Sequence, residues 1–232
     1  MISSKAIEVL TPLFEIVKKS KGKTIGQIKQ ELNIERTNMK KGASGLIVEN
    51  MLGIKNNNEA VADLPDINCE IKVLPLQKNN NGEIKAKEPT QIQMINYLEI
   101  ANETWDSAKI RKKITLTFWI VYLAKENSKS LNQNDYKIVD YFLDHPDFSK
   151  MDIFKKDWED IQHYIISGLG DKLSCSMGTY IEPKTKGKNN QDTTNAPDGK
   201  GGVIKVRRRA FYYKKNYTNT QVIPYIDTTK IQ

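Results

Sequence analysis

The stretch "ITLTFWIVYLA", Ile114 to Ala124, constrains the fold more than any other. It is continuously apolar and rich in β-branched and aromatic side chains, which marks a strand. A strand that is apolar on both faces has to be covered on both, so it belongs at the centre of a sheet with helices packed against it. The run is far shorter than the roughly 18 to 20 residues that span a bilayer, and no other run comes closer. The 232 residues suffice for one large domain or two small ones with a real core. "MISSKAIEVL" lacks the basic start and unbroken apolar core of a signal peptide. A soluble, cytoplasmic protein with no membrane partner is expected.

Around that strand, helices and strands are mixed and nothing repeats. Ser4 to Lys19 reads as an amphipathic helix through Ile7, Leu10, Phe14 and Val17, with Pro12 moving its start toward Thr11. Thr24 caps a short helix with Ile25, Ile28 and Leu32 on one face. A basic linker, Arg36 to Lys41, precedes the helix "GASGLIVENMLGI", which ends at Gly53. "INCEIKVLPL" alternates as a strand, and "QKNNNGEIKAKEPT" is a polar hairpin or loop. "QIQMINYLEI" fits helix or strand. "DIFKKDWEDIQHYIISGLG" is a helix with Ile153, Trp158, Ile161 and Ile165 inward, stopping at Gly168 or Gly170. Lys184 to Gly202 is low in complexity and reads as a mobile loop, followed by a basic strand, "VIKVRRRAFYYKKNYT". The pattern predicts an α/β core with a mixed sheet.

Chemistry on this chain has few vehicles. Cys69 and Cys175 form no C-x-x-C pair, and His145 and His163 are too few for a histidine metal cluster. Carboxylates, lysines, hydroxyls or a bound cofactor remain. In "VADLPDINCEIKVLPL", Glu70 and Lys72 stand two apart on a strand and point to the same face, while Ile71 points to the core. Phosphodiester hydrolysis needs a water nucleophile and relief of charge on the phosphate. Mg²⁺ bound by carboxylates supplies both, and a lysine beside it orients the water. The short E-x-K pattern also arises by chance in a lysine-rich chain, where it is a solvated strand entry.

Further motifs in register narrow this. "KKGASGLIVENMLG", then D-x6-E-x-K in "DLPDINCEIK", then "ETWDSAKIRKKITLTFWIVY", "DWEDIQHYIISG" and "RRRAFYYKKNYT" resemble the MutH-type DNA mismatch-repair endonucleases and the related type II restriction enzymes that cut at GATC. The resemblance runs from about Gly22 to Thr220. It implies one endonuclease domain over residues 1–232 with the restriction-endonuclease-like α/β fold: a catalytic lobe centred on 40–125, a DNA-reading part at about 150–220, and a DNA cleft between lobes. It implies Asp63 and Glu70 as Mg²⁺-binding carboxylates, Lys72 as catalytic lysine, and Glu49 and Lys113 as further active-site residues. Lys41 matches a basic position near DNA, Lys184 falls in a DNA-reading segment, and Tyr212 matches a tyrosine that senses adenine methylation. Only three residues separate Asp66 from Glu70, and Asp66 is read as a turn residue. Arg111 and Lys112 neighbour Lys113, and Trp105, Trp119 and Trp158 read as packing residues.

The net charge of +8 favours an anionic partner, although an Asn-, Lys- and Ile-rich composition also follows from an AT-rich genome. Arg207, Arg208, Arg209 and Lys214, interleaved with aromatic residues, are the expected DNA contacts. Double-stranded DNA is the expected partner, with a second copy for double-strand cleavage. "QIQMINYLEIANETW" resembles the restriction relatives, whereas "FYYKKNYT" resembles the repair enzyme, which would add mismatch-repair partners. The reading is a restriction enzyme. Its rivals are a nicking repair enzyme, a DNA-binding module without catalysis, and a protein-interaction domain that is basic only by genome bias.

Overall fold

A computed structural model describes residues 2–34, 42–54, 62–127, 129–189 and 191–229. In chain order its main elements are α1 (Ser4–Ser20), α2 (Ile25–Glu31), α3 (Ala43–Met51), β1 (Glu70–Lys78), β2 (Ile84–Ala86), β3 (Thr90–Met94), α4 (Tyr97–Ile100), α5 (Lys109–Thr115), β4 (Thr117–Glu126), β5 (Lys129–Ser130), β6 (Lys137–Asp144), α6 (Phe148–Ile166), β7 (Ile181–Thr185), β8 (Thr193–Pro197), β9 (Val203–Arg207), β10 (Arg209–Tyr213) and α7 (Lys215–Tyr217). The chain divides into two compact units. The first comprises Met1–Glu88, Thr115–His145 and Asn219–Gln232, the second Pro89–Ile114 and Pro146–Thr218. Among the described residues, no helix is long and apolar enough to cross a membrane.

In the first unit, β4 is the central strand, parallel to β1 on one side and antiparallel to β6 on the other. Residues 117–124 are all buried, as the continuous apolar run requires. Alternation sends Phe118, Ile120, Tyr122 and Ala124 to one face. There they share a core with Leu10 and Val17 of α1, Ile25 and Ile28 of α2, and Ile47 and Val48 of α3. β2 pairs antiparallel with β1 at the outer side. The result is the mixed central sheet with flanking helices of the restriction-endonuclease-like fold.

Two local features differ from expectation. α1 starts at Ser4, with Pro12 inside it. Ser3 accepts the Ala6 N–H at 3.2 Å, and burial of Ala6 and Leu10 on the first turns outweighs the hydrogen bond that Pro12 cannot make. Ile7 is consequently 55% exposed rather than part of the buried face. β6 carries no clean alternation because Asp140 and Asp144 are buried in it. Asp140 pairs with Lys21 and accepts the Asp227 N–H at 2.8 Å, and Asp144 accepts from Trp119 Nε1 at 3.2 Å. Those partners are remote in sequence, and β6 is not among the elements expected above.

The second unit holds an antiparallel sheet ordered β3-β10-β7 and a separate β8–β9 hairpin. α6 packs through Phe154, whose ring lies 5.3 Å from Tyr180 and 4.9 Å from Tyr217, and through Trp158, 5.7 Å from Trp105. The expected mobile loop from Lys184 to Gly202 instead contains the end of β7 and all of β8, which pairs with β9 from Thr193↔Arg207 to Pro197↔Val203. Asp198 closes the hairpin tip, its Oδ1 accepting the N–H groups of Lys200 at 2.7 Å and Gly202 at 2.8 Å. Gly168, at φ +76°, follows α6; a Cβ there would lie 2.2 Å from the Asp198 carbonyl oxygen, so only glycine lets the two backbones meet. The single basic strand of the sequence reading is therefore two strands, parted at Arg208.

That parting gives neighbouring arginines opposite environments. Arg209 is 3% exposed and donates to the carbonyls of Gly170 at 3.0 Å and Asp171 at 2.9 Å, and to Tyr97 Oη at 3.3 Å. Arg208 pairs with Asp192 at 2.7 Å in a largely solvated setting. Arg209→Met should lower unfolding stability by roughly 2–4 kcal/mol, because buried acceptors lose a charged donor. Arg208→Met should cost less than about 1 kcal/mol. Urea denaturation of the two variants checks this; equal losses would contradict it.

Candidate active site

The site is built at the head of β1. Leu64 and Cys69 bridge in antiparallel fashion, with N–H to O distances of 2.9 and 3.1 Å. Between them Pro65–Ile67 makes one tight turn, closed by Asn68 at φ +48°. This hairpin folds Asp63 back along the strand, where its Oδ2 accepts the Ile71 N–H at 2.8 Å. Asp66 stays exposed on the turn itself.

Glu70 opens β1, buried at 3% exposure, with its N–H donated to the Leu116 carbonyl at 3.0 Å. Parallel pairing sets Glu70 opposite Thr117 and Lys72 opposite Trp119. Glu70 and Lys72 share a face, and Lys72 Nζ lies 2.6 Å from Glu70 Oε1. Charge-assisted contacts of this kind fix both side chains.

Glu49 comes from α3, half-buried. Burial pushes its carboxyl above the ordinary carboxylate range, the Asp63 charge pushes further, Lys72 pulls back, and Glu70 adds to the rise. Those influences bring Glu49, Asp63, Glu70 and Lys72 into one electrostatic neighbourhood. Burial also pushes the Cys69 thiol up to about 12, with Asp63 and Glu70 contributing, so it stays protonated at neutral pH.

What holds α3 in place was not legible. Ser44, in its first turn, and Tyr122 of β4 hydrogen-bond through their hydroxyls at 3.1 Å, both buried. The contact links residues 78 apart and has no local sequence signal. Lys113 lies in the last turn of α5, in the second unit. Lys41 lies outside the described residues.

The donor chemistry fits a hard divalent cation. Asp63 and Glu70 offer carboxylate oxygens, and Mg²⁺ is commonly held by one or two carboxylates, with water and phosphate completing its shell. Among the described residues no cluster of three or more His, Cys, Asp or Glu side chains forms a full metal cage. A two-carboxylate site does not need one.

In the second unit, Lys184 pairs opposite Ala210, and Glu182 opposite Tyr212, across β7 and β10. Lys184 Nζ lies 5.6 Å from the Tyr212 ring centroid, a cation–π contact. Arg207 is exposed, 3.7 Å from Asp171. Two of the expected DNA contacts make bonds within the unit. Arg209 spends its guanidinium on buried acceptors, and Lys214 Nζ donates to the carbonyls of Met177 at 3.0 Å and Gly178 at 2.9 Å.

Known proteins share this arrangement of sequence. The family model described as the DNA mismatch repair enzyme MutH matches residues 52–157. The chain is 30% identical over 203 residues to the type II restriction enzyme Sau3AI of Staphylococcus aureus, covering 87% of this chain but 41% of that enzyme. It is 25% identical to MutH of Actinobacillus pleuropneumoniae serotype 5b, covering 88% of this chain and 90% of the relative. It is 27% identical to MutH of Haemophilus ducreyi, covering 85% of each. Both kinds of relative align over most of this chain, so it is similar to MutH and to this restriction enzyme alike, while spanning less than half of the restriction enzyme's length.

Proposed function

We propose that the chain is a Mg²⁺-dependent endonuclease that cuts double-stranded DNA at a specific short site, GATC as the family resemblance implies. The observation that carries this reading is the convergence of Asp63, Glu70 and Lys72 at the head of β1, with Glu49 in electrostatic reach. Asp63 and Glu70 would hold the ion. When bound, Mg²⁺ supplies Lewis-acid stabilisation of the phosphoryl oxygens and a more acidic water. Lys72, fixed on Glu70, orients that water and steadies the charge developing on the phosphate. Glu49, with its raised affinity for a proton, can exchange one with solvent near the same face. Lys113, in the last turn of α5, is the second active-site lysine that the family resemblance implies. In the second unit, Lys184 and Tyr212 face the bases, while Arg207 and Arg208 meet phosphates; Lys41 is a further basic position that the family resemblance implies near DNA.

The biological role that fits best is type II restriction, supported by the 30% identity to the Staphylococcus aureus enzyme. Cutting both strands then takes a second copy or two successive nicks. Methyl-directed nicking in mismatch repair is the second reading, favoured by the match along most of the length of the MutH relatives. That role would bring repair proteins as partners. An inactive DNA-binding module is disfavoured by the assembled carboxylate–lysine set.

Glu70→Ala should keep duplex binding within a few-fold of wild type and abolish cleavage with Mg²⁺, read by gel shift and by digestion of a GATC duplex. Normal cutting by this variant would sink the assignment. Digestion of unmethylated, hemimethylated and fully methylated GATC duplexes, with the two strands resolved, separates the roles: restriction cuts both strands of unmethylated DNA. Nicks confined to one unmethylated strand would point to repair instead. Duplex affinity should fall by roughly 10³ between 50 and 200 mM salt if about six phosphates are contacted. No binding at low salt would favour a protein-interaction domain.

A further inference from the structure

One buried carboxylate lies away from the active site and needs a separate account. Asp157 of α6 is 3% exposed, whereas its neighbours Glu159 and Asp160 face solvent. Its Oδ1 accepts the Thr179 N–H at 2.8 Å, and its Oδ2 accepts those of Tyr180 at 2.6 Å and Ile181 at 3.0 Å. Three consecutive amides therefore converge on one charge. The carbonyl side of the same turn is held by Lys214, whose Nζ takes Met177 and Gly178 and whose N–H donates to the Tyr180 carbonyl at 2.8 Å. Gly178 sits at φ +71°, and a Cβ there would lie 2.1 Å from the Ile181 carbonyl oxygen and 3.1 Å from Asp157 Cγ. The turn is closed around the carboxylate with no room for a side chain.

Burying a charge is unfavourable unless its hydrogen bonds return the loss, and an apolar residue of the same volume would leave the Thr179, Tyr180 and Ile181 amides without an acceptor. What a carboxylate adds is direction: short charge-assisted bonds that fix successive amides in place. The segment so fixed is the entry to β7, which presents Glu182 and Lys184 on one face, with Lys184 over the ring of Tyr212. Base-edge hydrogen bonds tolerate little displacement, so the placement of this strand sets how well its side chains discriminate.

We propose that Asp157, together with Lys214, is a positioning pair that sets the register of β7 and thereby the sequence discrimination exerted by Lys184 and Tyr212. The proposal rests on the reading that these two residues face the bases. Neither Asp157 nor Lys214 touches DNA; each acts through the strand it anchors.

The test compares wild type, Lys184→Ala, Asp157→Asn and the double variant on a GATC duplex and on duplexes with one base pair changed. Single-turnover rates at saturating DNA and dissociation constants are measured with Mg²⁺. Lys184→Ala should reduce discrimination between the duplexes by roughly 10-fold. Asp157→Asn, which swaps one carboxylate oxygen for an amide nitrogen facing N–H groups, should reduce it by a similar factor while the saturated rate on GATC stays within about threefold. The double variant should be no worse than the poorer single one, because both act on one contact. Full discrimination by Asp157→Asn, or additive losses in the double variant, overturns the proposal while leaving the reading role of Lys184 intact. Unchanged discrimination by Lys184→Ala overturns that reading role and the proposal with it. Where Asp157→Asn does not fold, Lys214→Met carries the same expectation from the carbonyl side of the turn. If neither variant folds, the pair serves stability alone and the proposal falls.

Discussion

The parallel pairing of β1 with β4 is the constraint on which the rest depends. Antiparallel neighbours can be joined by a two-residue turn, but parallel ones need a long crossover. Here the chain leaves the first unit after Glu88 and returns at Thr115. The excursion supplies β3, α4 and α5 to the second unit. A second departure, from Pro146 to Thr218, supplies α6 and the other strands of that unit, and the C-terminal segment then returns to the first. That return is tied down by Asn219, whose Oδ1 accepts the Ala86 N–H at 2.8 Å, and by Tyr225 stacked on Phe142 with ring centroids 5.0 Å apart. The β1–β4 crossover thus explains the first excursion, while the second follows β6 and is independent of it.

The same pairing places the candidate chemistry. Parallel register puts the first residue of β1 beside the first residue of β4, so Glu70 is buried at a strand end rather than in mid-sheet. A carboxylate in such a place needs partners, and Lys72 supplies one from the same strand face. The hairpin from Leu64 to Cys69 adds Asp63 through the Ile71 amide. Burial first, and then the Asp63 and Glu70 charges, raise the proton affinity of the Glu49 carboxyl against the pull of Lys72. The two carboxylates placed at this strand end, Asp63 and Glu70, are the pair proposed above to hold a cation.

Much of the fold was legible because it rests on periodicity. β1, β4 and α6 carry clean patterns, and Thr24 with Gln27 makes a capping box, with hydrogen bonds of 3.2 and 2.8 Å, that announces α2. What escaped depends on distant partners. β6 hides its buried aspartates behind Lys21, Trp119 and Asp227. β8 lies in a stretch rich in Asn, Asp, Gly and Lys, a composition shared with disordered loops, and its turn into β9 is closed by Asp198 and by a backbone approach to Gly168. In the candidate site, the shared face of Glu70 and Lys72 followed from strand alternation alone. The place of Asp63 required the turn geometry, and the Ser44–Tyr122 contact that seats α3 could be seen only in three dimensions.

The basic C-terminal region shows how little a run of like charges says by itself. In "RRR", three consecutive arginines meet three different fates: Arg207 ends β9 exposed, Arg208 pairs with Asp192 between the strands, and Arg209 turns inward at the start of β10. The break between strands decides this, since each side chain points where its own backbone position sends it. Lys214 is likewise absorbed by two carbonyls. A net charge of +8 therefore overstates the cationic surface available to a polyanion, because some of that charge works as internal cross-linking. The same accounting applies to anions: Asp157 is charge used as an anchor, Asp63 and Glu70 are charge gathered at a strand end. Discrimination between structural and functional charge on this chain comes from counting the hydrogen bonds each group has already made.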